Sequence, residues 1–166
     1  MYFSGFSLKN EEHLFDEYLE KSDFIVSGFS YGAMKAFEYV LNTNKRVDKL
    51  QLFSPAYFNN KDKTYKRMQL IYFNKNSSLY CDNFFKNCGF TNEFLSKYFE
   101  LGIKEELKEL LNYKWDAIKL KMLVKRNIQI EIYIGGRDRI IDTQQALEFF
   151  KQFGEVYYIK NKGHIL

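Results

Sequence analysis

Residues 27–33 read Ser27-Gly28-Phe29-Ser30-Tyr31-Gly32-Ala33, a G-x-S-x-G pattern between the apolar run Asp23-Phe24-Ile25-Val26 and a helical periodicity. A serine at such a strand-to-helix turn must hold a strained backbone. Its neighbours two residues away on either side must be small so that strand and helix can approach. Gly28 and Gly32 meet that need, and the turn lifts the Ser30 hydroxyl above the carboxyl end of the strand. The plain alternative is a glycine-rich turn with an incidental serine.

The rest of the chain argues against that alternative. Nucleophile elbows of this kind are followed in chain order by an acid and then a histidine. Gln129-Ile130-Glu131-Ile132-Tyr133-Ile134 alternates as a strand and runs into Gly135-Gly136-Arg137-Asp138. Val156-Tyr157-Tyr158-Ile159 reads as a last short strand before Asn161-Lys162-Gly163-His164. The chain has only two histidines. His164 falls just past that last strand, while His13 sits among Glu11, Glu12, Asp16 and Glu17 and reads as part of a solvated helix surface. Asp138, immediately after its strand, is the better candidate acid. Asp142, followed by Thr143-Gln144-Gln145 and an apolar-periodic run, has the signature of a helix N-cap and is the alternative.

These roles define a chemistry. His164 would take the Ser30 proton as the hydroxyl attacks an acyl carbonyl, and Asp138 would orient the imidazole and stabilise its cation. The tetrahedral oxyanion needs two backbone N–H donors. One is the amide after the nucleophile, Tyr31. For the other, Met1-Tyr2-Phe3 forms a short strand and Ser4-Gly5-Phe6-Ser7 turns after it, which nominates the Phe6 amide. The alternative for Phe6 is an aromatic ring that merely packs.

Together these observations predict an α/β fold. It is a minimal α/β-hydrolase of about five parallel strands in a single domain, 1–166. Helix 10–21 is expected first, then strand 23–27, a helix from Tyr31, and strand 49–53 ended by Ser54-Pro55. Residues 57–126 show only helical periodicities, so a helical cap is expected between strands three and four. With strands in chain order, right-handed crossovers put every helix on one sheet face. The second face then needs helix 10–21 to cross over, the cap to wrap round, or another subunit.

Composition bounds the partners. Aromatics at 19% and hydrophobics at 46% describe a packed chain. No apolar run is long enough to span a bilayer and no signal peptide opens the chain, so a cytoplasmic location is expected. A net charge of +4 allows an acidic partner without demanding nucleic acid. Cys81 and Cys88 lack metal or redox spacing and read as free thiols. The chemistry calls for no cofactor and no metal, and self-association is left open.

The chain resembles the BioV-type pimeloyl-[acyl-carrier protein] methyl ester esterases, a compact α/β-hydrolase group. The likeness rests on Phe3-Ser4-Gly5-Phe6, Ser27 to Ala33, Phe53-Ser54-Pro55, Lys66-Arg67-Met68-Gln69-Leu70, Tyr80-Cys81-Asp82-Asn83-Phe84, Gly135 to Asp142, and Gly163-His164. The resemblance places that family's nucleophile, acid and base on Ser30, Asp138 and His164. It implies hydrolysis of the methyl ester that masks the pimeloyl carboxyl, with an acyl carrier protein as partner. Such a carrier is acidic, and Lys61, Lys63, Lys66 and Arg67 form a basic cluster at the start of the cap. A solvated, lysine-rich helix face is the other reading of those four. A general carboxylesterase or thioesterase with the same three residues is the rival activity.

Overall fold

A computed structural model describes residues 1–166. Strand β1 (Tyr2–Phe3) leads through a loop and a single 3-10 turn (Glu12–Phe15) to β2 (Ile25–Phe29) and helix α1 (Tyr31–Asn42). Strand β3 (Lys49–Phe53) is followed by five helices. These are α2 (Lys63–Lys75), α3 (Ser77–Cys88), α4 (Asn92–Tyr98), α5 (Lys104–Asn112) and α6 (Ala117–Lys125). Strand β4 (Gln129–Gly135), helix α7 (Thr143–Phe150) and strand β5 (Glu155–Ile159) complete the chain. The five strands form one sheet, parallel throughout and in chain order. No helix is long and apolar enough to cross a membrane.

The two sheet faces differ in chemistry, as the two-residue period of a strand allows. On one face Val26, Leu50, Leu52, Ile130, Ile132 and Ile134 are buried. Gly28 belongs to this face, because a Cβ there would meet the Gly32 carbonyl of α1 at 2.3 Å. Tyr158 does too, its hydroxyl receiving a hydrogen bond from Gln144 of α7. Helix α6 lies against α1, so the last helix of the insertion rejoins this helical layer.

The opposite face carries Ser27, Phe29, Gln51, Phe53, Glu131 and Tyr133, and it corrects the expected helix 10–21. That segment makes only the 3-10 turn Glu12–Phe15 and a run of turns, yet it is what covers the second face. Phe15 is fully buried, stacks on Phe53 at 4.8 Å and packs at a tilt against Phe29 at 4.9 Å. Tyr18 packs on Tyr133 at 5.4 Å. Side chains compete for the backbone that a helix would use. Gln51 donates to the Tyr18 carbonyl at 3.1 Å and accepts the Glu20 N–H at 3.0 Å. Asn10 also sits in the left-handed region at φ 54°, outside helical geometry. Beneath the segment, Gln51 and Tyr133 both donate to Glu131, which pairs with Lys49 at 2.7 Å. Those bonds hold the Glu131 carboxyl below its usual range although burial alone would raise it.

Candidate active site

Ser30 stands between β2 and α1 with φ 53° and ψ −110°, a conformation non-glycine residues rarely adopt. Its surroundings hold it there. The Ser30 N–H donates to the Phe53 carbonyl at 2.9 Å, and the Ser30 carbonyl accepts from Ala33 at 3.1 Å and Ala56 at 3.3 Å. The flanking glycines are spatial necessities. A Cβ on Gly32 would fall 2.0 Å from the Phe3 carbonyl oxygen, so β1, β2 and α1 converge only because both positions are bare.

The other two predicted groups meet this serine. His164 Nε2 lies 2.9 Å from Ser30 Oγ, and His164 Nδ1 lies 2.6 Å from Asp138 Oδ2. The carboxylate is aimed by two amides, with Ile140 N–H donating to Oδ1 at 2.7 Å and Ile141 N–H at 3.3 Å. The histidine loop is docked on the end of β4. Arg137 N–H donates to the Lys162 carbonyl at 2.8 Å, and a Cβ on Gly135 would lie 1.8 Å from the Gly163 oxygen. Phe29 packs on the imidazole at 5.1 Å. Both the imidazole and the Asp138 carboxylate are fully screened from solvent. Such a line can move a proton off a hydroxyl and hold the resulting imidazolium beside a carboxylate.

Asp142 does something else: its Oδ1 accepts the Gln145 N–H at 3.0 Å as the N-cap of α7. His13 is exposed, with its Nδ1 3.4 Å from an Asp16 carboxylate oxygen. Cys81 and Cys88 are free and buried. Burial, and then the nearby Asp138 charge, push the Cys88 thiol well up.

Phe6 and Tyr31 both line a cavity of about 420 Å³, together with Gly5, Leu101 and Gly102, and neither Ser30 nor His164 borders it. No backbone or side-chain acceptor in the protein takes the Phe6 N–H, while the Phe6 ring packs on Phe73 and Phe84 at 6.0 and 6.3 Å. The ring thus packs as the alternative expected, and the amide has no acceptor within the protein. A larger cavity of about 580 Å³ lies within the insertion, lined by Tyr65, Tyr72, Tyr80, Phe84 and Leu110. It reaches the loop after Asp138 at Arg139 and Ile140 but does not touch Ser30.

The basic cluster needs a correction. Lys66 is buried, and that burial, with Lys114 nearby, pushes its ammonium below the usual lysine range. It belongs to no exposed patch. Lys63 and Arg67 are exposed, and Lys61 sits over the Tyr65 ring at 5.2 Å. Two features near the site carried no sequence signal. Tyr31 donates through its hydroxyl to Glu109 at 2.7 Å across 78 residues of chain. Glu11, among acids that read as solvated, is completely buried.

No family model matches the chain, and no curated protein matches it in sequence. Solved structures do. An esterase from Exiguobacterium antarcticum has a TM-score of 0.66 at 18% identity, covering 84% of this chain and 59% of that one. A hydrolase from Oleispira antarctica has a TM-score of 0.62 at 12% identity, covering 86% and 58%. This chain thus spans less than two thirds of the length of those proteins. BioG from Haemophilus influenzae, at TM-score 0.60 and 13% identity, covers 99% of this chain and 87% of its own. Parallel strands in chain order, a strained serine between β2 and α1, and these shared architectures give the protein the α/β-hydrolase fold.

Proposed function

We propose that the protein is a serine esterase of the BioV type, hydrolysing the methyl ester of pimeloyl-[acyl-carrier protein] to pimeloyl-[acyl-carrier protein] and methanol. One observation carries the esterase reading: the unbroken contact from Asp138 through His164 to Ser30 Oγ. His164 takes the hydroxyl proton as Ser30 attacks the ester carbonyl, and the oxyanion gathers the Phe6 and Tyr31 N–H groups. His164 then protonates the departing methoxide. A water, deprotonated by the same ring, releases the pimeloyl carboxylate and restores Ser30. The methyl ester of a carrier-linked acyl chain is supported by the quoted sequence likeness. It is also supported by the near-equal size of the chain and BioG, and by the aromatic cavity beside the acid loop.

A general carboxylesterase or thioesterase is the second reading, supported by the esterase architecture shared with the Exiguobacterium protein. The assay that separates them compares pimeloyl-carrier methyl ester, a free short methyl ester and an acyl thioester. Preference for the carrier-linked ester supports the first reading, and equal rates on free esters the second. Ser30→Ala should fold normally and lose turnover on all three; retained hydrolysis would refute both. Reversing the charge of Lys63 and Arg67 should raise KM for the carrier-linked ester alone. These two residues lie across α2 from the side that lines the larger cavity, so equal loss on a free ester would remove them from docking.

A further inference from the structure

The Ser4–Leu8 loop is held from within by a carboxylate that no local structure requires. Glu11 is fully buried. Its Oε1 accepts the Gly5 N–H at 2.7 Å and the Tyr2 hydroxyl at 3.1 Å, while its Oε2 is buried without a partner. The 3-10 turn that follows uses only the Glu11 backbone, whose carbonyl accepts from Leu14 at 2.9 Å. Burying a carboxyl group with one oxygen unsatisfied is unfavourable, and an apolar residue would avoid it. The arrangement therefore calls for a use outside the turn.

The geometry of the next peptide supplies one. Gly5 has no side chain to restrain it, and a Cβ there would press on the Phe29 ring at 2.8 Å. Two bonds restrain it instead: Glu11 takes its N–H, and the Leu8 N–H donates to its carbonyl at 3.2 Å. That carbonyl and the Phe6 N–H belong to one planar peptide unit, so fixing the first aims the second. We infer that Glu11 is a positioning residue for oxyanion stabilisation, acting as a hydrogen-bond acceptor that locks Gly5 and so aims the Phe6 amide. This rests on the serine-esterase reading above.

The test uses the whole protein, p-nitrophenyl butyrate as substrate and a trifluoromethyl ketone as a transition-state analogue. Glu11→Ala should lower kcat by ~10- to 100-fold with KM little changed, and weaken the analogue by the same factor. Glu11→Gln, which keeps an acceptor at the same reach, should restore both. An Ala variant with normal kcat, a kcat loss without a matching loss of analogue affinity, or a Gln variant no better than Ala would each overturn the inference. If the Ala variant fails to fold, Glu11→Asp replaces it, since its carboxyl stops a methylene short and must show the same paired losses. Failure of the esterase reading shows separately, as turnover surviving in Ser30→Ala.

Discussion

Asp138 and Asp142 are four residues apart, and their separate roles follow from which amides they face. Asp138 spends Oδ1 on the Ile140 and Ile141 amides and so presents Oδ2 to His164. Asp142 spends its carboxylate on the first turn of α7. Asp138→Asn keeps the shape but replaces an acceptor-only group with an amide, so kcat should fall by roughly 10³- to 10⁴-fold with little change in melting temperature. Asp142→Ala should do the reverse, costing ~0.5–2 kcal/mol of stability with turnover retained. Steady-state kinetics and thermal melts on both variants check the pair. This distinction was legible in the sequence because strand end and capping pattern are local signals. The burial of Glu11 was not, because its neighbours Glu12, Asp16 and Glu17 are the acids of a solvent-facing segment and only the fold turns one of them inward.

Strands β2 to β5 were legible for the same reason, as short apolar or alternating runs, although β2 lies two residues later than the expected 23–27. The segment 10–21 was not, because Leu14, Phe15, Tyr18 and Leu19 fit a helical stripe equally well. The Gln51 side chain, more than 30 residues away, decides against the helix by taking its backbone groups. Long-range contacts of this kind also join the insertion to the core. Lys35 and Tyr31 of α1 both bond Glu109 of α5, and Tyr113 and Lys119 bond Glu38. Burial alone would raise the Glu109 carboxyl above its ordinary value of 4.5, but Lys35 and Tyr31 outweigh it and hold it lower. A depressed carboxylate contributes stability that is present above the ordinary value and fades as pH falls through the folded one. The stability gap between the protein and Glu109→Gln should therefore be widest near neutrality and close as pH falls from about 5 to 3. Because the carboxylate is half exposed, the gap should stay below about 1 kcal/mol. Urea unfolding across that range tests it; a gap that grows in acid would rule out this account.

The molecule as a whole is an asymmetric sandwich. One sheet face has helices α1, α6 and α7; the other has a single non-helical segment over a row of polar and aromatic side chains. Right-handed crossovers between neighbouring strands force the first arrangement, and the second is the means by which so short a chain covers the remaining face. Phe15 is the centre of that cover and sits on Phe29, whose ring in turn packs on the His164 imidazole. Phe15→Ala should cost ~3–5 kcal/mol, since the sheet beneath cannot collapse into the space. At ~2–4 °C per kcal/mol for a chain of this size, the melting temperature should drop by roughly 6–20 °C. Phe15→Leu, which retains most of the volume, should recover the larger part. A helix on this face would share the load among several residues, and a truncation there would be milder. A Phe15→Ala melt within a few degrees of the parent would mean that the second face is covered by something other than this segment, such as a second copy of the chain. Sedimentation of parent and variant would then reveal that copy directly.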